Sequence, residues 1–592
     1  MDCHQRSDFP ARLGVLLLVT VLAACTAPDP ASTTAPTRAV ASVPITSATT
    51  QLIPGGSVQL YGKCLDIDGQ QVASAISWST SSISVGFVSS SGLLTAVAPG
   101  TVIVTAICGG QVGTIVISVE PTPIQIQLDQ TIATFTAFAG GLPLAPGTVH
   151  VTNSGGVPLT GLTIGAVEYH AGEPAGWLTP SLTATGTPTT LALSVQATAL
   201  PIGTYHAIVR VASAAPGVTN SPQSISATLI VTQFVTITGW ASQSCALTGA
   251  GAAYCWGATD NGDPIDFGTV GAVGDGTRTW RTIPTPLAGG LAFRELSVGG
   301  ATGGNHACGL TTSGAPYCWG ERPGTVTGGI TQLDLAPTMV QLSPQFDRIE
   351  AGSLQSCALT TAGAAYCWGQ NTYGAIGAGT TANHSVPYPV AGNRTFTQLS
   401  GRADYVCGLV AAGDVFCWGE NHYGQLGDGT TIRRLVPTQV TGVPAFVQIS
   451  AGEDHTCGLT NTGVAWCWGS NDWGQLGNGA TTEWSGPAPV PGHTFVEIGA
   501  GLLQTCGRTA AGAIFCWGGN NGALGVGGGI QSTNVPLPVS GGMTFTAMHV
   551  AWEHTCGITA GSQLYCWGNN QFGQLGDGTT TQRFIPTLVR LP

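Results

Sequence analysis

Short apolar segments, separated by glycine, proline and serine, run along most of the chain. Between residues 102 and 119, two runs of β-branched residues flank Gly109-Gly110, a pattern that predicts two strands joined by a tight turn. Residues 207–211 alternate between the two faces expected of a half-buried strand. Many such segments, each bounded by turn residues, predict an all-β protein.

The first 24 residues depart from this pattern and are predicted to be a signal peptide. Two arginines precede an apolar run over residues 13–21, which is too short to span a bilayer permanently. The run ends in Leu-Ala-Ala-Cys25, which resembles a bacterial lipobox. The resemblance implies cleavage before Cys25, lipidation of its thiol and, because Thr26 follows, sorting to an outer membrane. The alternative is a signal for soluble secretion.

Residues 25–43 are expected to form a lipidated cysteine and a disordered tether, since alanine, threonine, serine and proline cannot build a core there. The chain has 18 cysteines. Setting aside Cys3 in the signal and Cys25 leaves an even number, as expected for disulfide pairing in an oxidising compartment. The protein is therefore expected outside the cytoplasm, anchored by lipid to the outer membrane or cell surface.

Residues 44–119 predict a first β-sandwich. Ile-Ser-Trp-Ser at 76–79, the segment 88–96 and Pro-Gly-Thr-Val at 99–102 resemble the group 2 bacterial immunoglobulin-like domain. The resemblance makes Trp78 the core tryptophan. Cys64 and Cys108 are predicted to form a disulfide, whose long loop contributes about 4 kcal/mol in the chain-entropy description.

Residues 121–232 predict a second β-sandwich. The segments 151–156, 203–211 and 220–223 resemble BACON-like and related bacterial immunoglobulin-like modules. Some of those modules are linked to carbohydrate binding, and a spacer is the other interpretation.

The remaining residues, 234–592, contain an internal repeat. The pattern Cys-x9-Cys-Trp-Gly occurs seven times, and its first cysteines are 63, 49, 50, 50, 49 and 50 residues apart. A period near 50, with about four short strands per unit, is typical of a β-propeller.

The sequence around the cysteines resembles a known repeat. Gly-Glu-Asp-His-Thr-Cys-Gly-Leu at 452–459 and Trp-Gly-Ser-Asn-Asp-Trp-Gly-Gln-Leu-Gly at 468–477 resemble the regulator of chromosome condensation repeat, in its cysteine-bearing bacterial form. Gly-Gln-Leu-Gly returns at 424–427 and 573–576. The resemblance implies a seven-bladed β-propeller that follows the two immunoglobulin-like sandwiches in the chain.

The cysteine spacing suits a disulfide across a hairpin whose three-residue loop ends in a left-handed glycine, as in Thr361-Ala362-Gly363. Six repeats have this glycine, whereas the seventh has Ser562, so a different turn is expected there. Zinc and redox sites need closer cysteine spacing. The predicted pairs are Cys245–Cys255, Cys308–Cys318, Cys357–Cys367, Cys407–Cys417, Cys457–Cys467, Cys506–Cys516 and Cys556–Cys566.

The repeat phase predicts how the ring closes. Six units begin with a phenylalanine eleven residues before the first cysteine, starting at Phe234, and the last unit ends at Val589. Seven whole units leave nothing over. The last strand is expected to return beside the strand that begins at Phe234 and remove the open edge.

No residue pattern in the repeats predicts catalysis. His306, His455 and His554 occupy one repeat position, where a hydrogen-bonding role is favoured over a metal site because the units are far apart in the ring. Asp275, Asp428 and Asp577 lie in Gly-Asp-Gly-Thr turns and are explained by turn chemistry rather than calcium. Nucleotide-binding and hydrolase motifs are absent from the sequence. We expect a monomeric protein that is not an enzyme, with no cofactor and no metal.

Segments in which one repeat differs from the others are better candidates for binding, because loops on rigid scaffolds carry function. The net charge of −12 and the thin spread of the 17 basic residues argue against a nucleic-acid partner. The predicted function is a surface-anchored platform for a protein or glycan. Alternatives are an inhibitor of a secreted enzyme, a carbohydrate adhesin and, by the resemblance alone, guanine-nucleotide exchange. The candidate partner-binding loop residues are Asp260, Asp263, Asp266, Phe267, Arg322 and Thr325.

Overall fold

A computed structural model describes residues 38–592 except 140, 142, 156, 258–272, 302–303, 322–332, 342–343 and 483. The described residues form 45 β-strands, and the all-β prediction is confirmed. Nothing in this part of the chain folds into a helix that could cross a membrane.

The first sandwich contains two four-stranded sheets, in the orders β1-β3-β6-β5 and β2-β8-β7-β4. Gly109 and Gly110 both have positive φ, at 56° and 82°, and join β7 to β8 as a two-residue hairpin, as the sequence predicts. Cys64 and Cys108 are joined, and Trp78 packs against the core. The strands are β1 Ile45–Ser47, β2 Gln51–Leu52, β3 Ser57–Gly62, β4 Ser77–Thr80, β5 Gly86–Val88, β6 Leu93–Ala96, β7 Gly100–Cys108 and β8 Gln111–Val119.

The second sandwich also contains two sheets, β10-β17-β16-β12 with β13 beside β16, and β14-β15-β11-β9. Strand β16 alternates buried and exposed residues, because one face covers the core and the other meets solvent. The strands are β9 Gln125–Leu128, β10 Ile132–Phe138, β11 Gly147–Ser154, β12 Leu162–Ile164, β13 Glu168–Tyr169, β14 Leu178–Leu182, β15 Thr189–Val195, β16 Gly203–Ser213 and β17 Gln223–Thr232.

The repeat region folds into seven antiparallel sheets, each made of four consecutive strands, which we number sheets 1 to 7. Sheets 1 to 3 contain β18 Phe234–Trp240, β19 Gln243–Thr248, β20 Ala253–Gly257, β21 Arg281–Pro286, β22 Phe293–Ala301, β23 Gly304–Thr311, β24 Pro316–Glu321, β25 Leu333–Met339, β26 Arg348–Ala351, β27 Gln355–Leu359, β28 Ala365–Gly369 and β29 His384–Pro389.

Sheets 4 to 7 repeat the same meander. Their strands are β30 Gln398–Gly401, β31 Tyr405–Leu409, β32 Val415–Gly419, β33 Arg434–Gln439, β34 Phe446–Ala451, β35 His455–Thr460, β36 Ala465–Gly469, β37 Trp484–Pro489, β38 Glu497–Ala500, β39 Gln504–Arg508, β40 Ile514–Gly519, β41 Ser532–Pro538, β42 Phe545–Val550, β43 His554–Thr559, β44 Leu564–Gly568 and β45 Arg583–Leu588.

The core of this region lies between neighbouring sheets and is repeated around the ring. In one such cluster the Cys407–Cys417 disulfide and Leu426 of sheet 4 pack against Phe446 and Trp468 of sheet 5. Within sheet 5, the rings of Phe446 and Trp468 are stacked with centroids 6.1 Å apart. Every sheet thus contributes an aromatic pair to one neighbour and a disulfide to the other.

All seven cysteine pairs of the repeat form cross-strand disulfides between the second and third strands. The paired cysteines face each other in register, as Cys457 faces Cys467. All of these cysteines except Cys318 are buried, at 2% exposure or less, so the bonds form part of the core. Each bond therefore fixes the two central strands of its sheet.

The expectation of a different turn in the seventh repeat is wrong. Ser562 itself takes the left-handed conformation, with φ of 61°, and its N–H donates to the Thr559 carbonyl at 2.9 Å. Gly512 makes the equivalent bond to Thr509 with φ of 84°. The disulfide and the two paired strands fix the turn, so the serine adopts a conformation that an L-residue disfavours.

Replacing Ser562 with glycine is therefore expected to stabilise the protein by about 0.5 kcal/mol. Relief of the left-handed strain, about 1 kcal/mol, outweighs the extra backbone entropy that glycine loses on folding. Denaturant unfolding followed by circular dichroism measures the difference. The control is Gly512→Ser, which should destabilise the protein by a larger amount, because an added Cβ there would also lie 2.9 Å from the Phe545 carbonyl oxygen. The explanation fails if both variants change stability in the same direction.

The predicted pairing of the last strand with the first is also wrong. β45 pairs with β44, and β18 pairs with β19, so sheets 7 and 1 share no strand. They meet instead through a buried cluster in which Val589 and Leu575 pack against Phe234 and Trp256. Each unit already contains a whole sheet, so closure occurs by face-to-face packing rather than by exchange of an edge.

The second sandwich continues directly into sheet 1. Only Gln233 separates β17 from β18. The Phe138 ring of β10 lies 4.6 Å from Phe234 and 5.1 Å from Tyr254, centroid to centroid, within the cluster that also holds Trp256. Residues 125–153 and 158–592 consequently form one compact unit.

Candidate functional site

One side of the seven-sheet ring carries two kinds of connection from every sheet. Because consecutive strands are antiparallel, the turn between the first and second strands lies at the same end as the segment joining the third and fourth. We call this side the loop face. The opposite side carries the short turns between the second and third strands.

Buried asparagines hold the loop-face segments in shape. Asn421 follows Trp418-Gly419, and its Oδ1 accepts the Leu426 N–H at 2.9 Å. Its Nδ2 donates to the carbonyls of Thr430 and Ile432, both at 3.0 Å. Asn371, Asn471 and Asn570 make the same bonds in their sheets. Each segment is therefore preorganised rather than a free loop.

Each asparagine places an aromatic side chain at the surface two residues later. Tyr373 and Trp473 are 39% and 46% exposed, although residues of this size usually bury more of their surface. Tyr423 and Phe572 occupy the same position in sheets 4 and 7 and are partly exposed. Sheets 3, 4 and 5 are consecutive, so they present three aromatic rings in a row on the loop face.

In each Gly-Asp-Gly-Thr turn, an arginine side chain binds the carboxylate of the aspartate. Asp428 Oδ1 accepts from Thr430 N and Oγ1 at 3.0 and 2.7 Å, and Oδ2 accepts from Arg434 Nε at 2.6 Å. Burial acts to raise the pKa of Asp428, but the bonds from Thr430 and Arg434 lower it overall. Asp275 and Asp577 have the same partners, so turn chemistry accounts for all three.

Four carboxylates collect on the loop face of sheets 4 and 5. Asp404, Glu453 and Asp454 lie in the turns between first and second strands, and Glu420 directly follows Trp418-Gly419. None is fully buried, and no ion pair involving them is found among the described residues. The cluster therefore makes this sector of the face strongly acidic.

Burial and mutual repulsion raise the pKa values of this cluster. Burial, then Glu420 and Asp404, raise the pKa of Asp454 to about 6, against the opposing effect of His422. Burial, then Asp454 and Asp404, raise the pKa of Glu453 to about 7, against a hydrogen bond from Trp552. The sector thus gains negative charge as the pH rises through 6 and 7.

The three histidines of the shared repeat position do not converge. Each donates or accepts a hydrogen bond with a hydroxyl of the following sheet: His306 with Ser356 at 2.9 Å, and His455 with Thr505 at 2.8 Å. His554 meets Ser244 at 2.8 Å, which repeats the contact across the closure of the ring. The hydrogen-bonding prediction is therefore confirmed.

Burial lowers the pKa of His306 to about 4 and those of His455 and His554 to about 3, so all three are neutral. Within the described ranges, no three histidine, cysteine or acidic side chains are arranged to bind a metal ion.

A central cavity of about 240 Å³ is lined by the first strands of all seven sheets. Arg402 of sheet 4 extends into it and is only 8% exposed. Its Nη1 donates to the Val298 carbonyl of sheet 2 at 3.2 Å, and its Nε lies 3.9 Å from Glu350 Oε1 of sheet 3. Its guanidinium lies 5.0 Å from the Trp240 ring centroid in sheet 1. One side chain therefore links four sheets across the ring axis.

The residues predicted from sequence to bind a partner, Asp260, Asp263, Asp266, Phe267, Arg322 and Thr325, lie outside the described residues, as does Cys25. Sequence reasoning missed both the row of loop-face aromatics and the acidic cluster. A signal for each was present. An aromatic precedes Gly-Gln-Leu-Gly in several repeats, and Glu453-Asp454 replaces the uncharged residues of most other repeats.

Seven sheets with internal disulfides, arranged around a central cavity, define a β-propeller with a preorganised loop face. The regulator of chromosome condensation (RCC1) repeat matches residues 362–408, 412–459 and 562–592, and a second description of this repeat matches residues 346–375 and 446–475. The bacterial Ig-like domain (group 2) matches residues 39–118. The chain thus carries RCC1 repeats C-terminal to a group 2 bacterial Ig-like domain, and both resemblances are confirmed.

Solved structures that match the chain include yeast RCC1 (Prp20). Human WBSCR16 is 18% identical, over 57% of this chain and 89% of that chain, with a TM-score of 0.47. Prp20p from Saccharomyces cerevisiae, described with its binding to Gsp1p and histones, is 18% identical over 57% and 85%, with a TM-score of 0.48. The CRINKLY WD40 ectodomain of the Arabidopsis thaliana receptor kinase ACR4 is 21% identical over 57% and 96%, with a TM-score of 0.35.

None of the curated proteins matches the chain by sequence. The eight disulfides and the bacterial Ig-like domain indicate an extracytoplasmic protein. RCC1 repeats and Ig-like domains are typically non-catalytic binding domains, which favours a binding platform.

Proposed function

We propose that this protein is a non-enzymatic lipoprotein of the cell surface, anchored through Cys25, whose loop face binds a macromolecular partner. The tether and the two sandwiches would hold the propeller away from the membrane. The observation that carries the proposal is the row of exposed aromatics on asparagine-clamped segments, because a rigid aromatic surface binds with little loss of conformational entropy.

The charge of the same face indicates the partner's chemistry. The carboxylates of Asp404, Glu420, Glu453 and Asp454 adjoin the Tyr423 segment, and His422 acts electrostatically on Asp454. Acidic groups flanked by aromatic rings suit a protein surface that presents lysine or arginine. Residues 258–273 and 322–332, where the sequence departs from the other repeats, follow the third strands of sheets 1 and 2 in the chain, and they stay proposed partner-binding segments.

A photo-crosslinking experiment on the whole chain tests the binding face. The photo-crosslinking residue benzoylphenylalanine, placed at position 473 of the protein displayed on cells, should capture a partner. The matched control places it at Asn461, an exposed residue in the turn between the second and third strands of the same sheet. Capture at 473 but not at 461 supports the proposal, whereas equal capture at both positions, or none at 473, contradicts it.

Three further measurements separate the finer parts of the proposal. Palmitate labelling should disappear in Cys25→Ala, and labelling that persists would refute the anchor. Deletion of residues 258–273 should reduce the captured partner, and full capture would remove that segment from the interface. A glycan array distinguishes a carbohydrate from a protein partner.

A further inference from the structure

In sheets 4 and 5, a glutamine at one repeat position joins the first strand to the first strand of the next sheet. In sheet 4, Gln398 Nε2 donates to the Ile449 carbonyl at 2.8 Å, and Gln398 Oε1 accepts the N–H of the same residue at 3.0 Å. In sheet 5, Gln448 makes the same pair of bonds with Ile498 at 3.1 and 3.2 Å. An amide fits this position because it offers one donor and one acceptor.

Sheet 6 has a glutamate at this position, and its second oxygen has a cationic partner. Glu497 Oε1 accepts the Met548 N–H at 3.4 Å. Glu497 Oε2 accepts from Arg508 Nε at 2.7 Å, and Arg508 faces Glu497 across the sheet. The charged carboxylate is thus satisfied by one backbone donor and one guanidinium.

Sheet 2 also has a glutamate there, Glu295, but without the arginine. Its carboxylate accepts the N–H of Ile349 in sheet 3. The residue facing it across the sheet is Leu310 instead of an arginine. Glu295 Oε2 is buried and has no hydrogen-bond partner within the described part of the chain. A charged oxygen left in this state costs free energy.

We propose that Glu295 is held as a neutral carboxylic acid whose Oε2–H donates to the Ile349 carbonyl, so that it joins sheets 2 and 3 as a glutamine would. A protonated carboxyl has the donor and the acceptor that Gln398 and Gln448 use at the equivalent position. Ionisation removes the donor, so the link at Glu295 depends on a proton, unlike the links made by Gln398 and Gln448.

The surroundings of Glu295 favour the neutral form. Burial raises the pKa of Glu295 to about 7, Arg348 opposes the rise, Glu350 adds to it, and Arg294 opposes it weakly. The side chain borders a cavity of about 310 Å³ lined also by Gln398 and Leu399.

Because the pKa in the folded protein lies above that of the unfolded chain, the stabilisation by the link is complete below pH 4.5. It is lost as the pH rises to about 7. The junction between sheets 2 and 3 should therefore loosen between pH 5.5 and 8.5.

The variant Glu295→Gln tests the proposal in the full chain. Raising the pH from 5.5 to 8.5 should lower the Tm of the wild type by about 3 °C more than that of the variant. Comparing the two proteins cancels the other titrating groups. Glu497→Gln is the matched control, which loses the bond of its carboxylate to Arg508 and should lower the Tm at both pH values.

A gain-of-function variant and a local probe complete the test. Gln398→Glu should introduce a second pH-dependent link and enlarge the Tm difference. Hydrogen exchange at Ile349, corrected for the intrinsic rate, should slow at least threefold at pH 5.5 relative to pH 8.5 in the wild type, and should not depend on pH in Glu295→Gln. The proposal would be overturned if the Tm of the wild type and that of Glu295→Gln changed with pH in parallel. It would also be overturned if the protection of Ile349 in the wild type did not depend on pH.

Discussion

Replacing Trp468 with alanine is expected to lower the free energy of unfolding by about 4–5 kcal/mol. The indole is fully buried between sheets 4 and 5. Its Nε1 donates to the Gln425 carbonyl at 2.9 Å, and Gly427 lies so close that an added Cβ would be 2.6 Å from Nε1. Truncation therefore empties a site that neighbouring backbone cannot fill and removes a hydrogen bond between the sheets.

Denaturant unfolding followed by near-ultraviolet circular dichroism measures this loss. Trp473→Ala is the matched control, since this tryptophan lies five residues away on the loop face and is 46% exposed. Its truncation should change stability by less than about 0.5 kcal/mol and should instead reduce capture of the partner. Equal destabilisation by both variants would contradict the distinction between core and binding tryptophans.

Replacing Arg402 with leucine is expected to destabilise the propeller by about 3 kcal/mol. The substitution keeps the apolar part of the side chain nearest the backbone but removes the bond to the Val298 carbonyl and the charge facing Glu350. Burial already raises the pKa of Glu350, and Arg402 is the main opposing influence. Without the guanidinium, Glu350 must ionise unpaired or take up a proton.

The loss of stability should therefore be larger at pH 8 than at pH 5. Only the ionised form of Glu350 needs the cationic partner, and raising the pH favours that form. Unfolding midpoints at the two pH values measure this difference. Arg433→Leu is the control, since Arg433 lies over Tyr373 at the surface, 5.8 Å from the ring centroid, and should contribute less than about 1 kcal/mol. If Arg433→Leu costs as much as Arg402→Leu, the bridging role of Arg402 is wrong.

Features that depend on residues close in sequence could be predicted from the sequence. The Gly109-Gly110 hairpin and the cross-strand cysteine pairs depend on fewer than about a dozen residues, whose spacing determines which atoms face each other. The turn at Ser562 shows the limit of this reasoning. Its residue type predicts another conformation, but the strands on either side determine its φ.

The prediction of how the ring closes was wrong for a related reason. The phase of the repeats gives whole units from Phe234 to Val589, but it does not say whether neighbouring units meet through a shared strand or through packed faces. The cluster of Val589 with Phe234 and Trp256 answers that question, because the apolar faces of whole sheets were available to be buried.

The sequence by itself determined the all-β class, the repeat period and the disulfide-bearing hairpins, since each follows from local periodicity and turn chemistry. Only the tertiary structure decided which charges meet. Asp404 and Asp454 are 50 residues apart, and Arg402 bonds to Val298 across 104 residues. Glu295 faces Leu310 across the sheet, whereas Glu497 faces Arg508. Burial and pairing set the pKa of such groups, and both arise only when distant segments pack together.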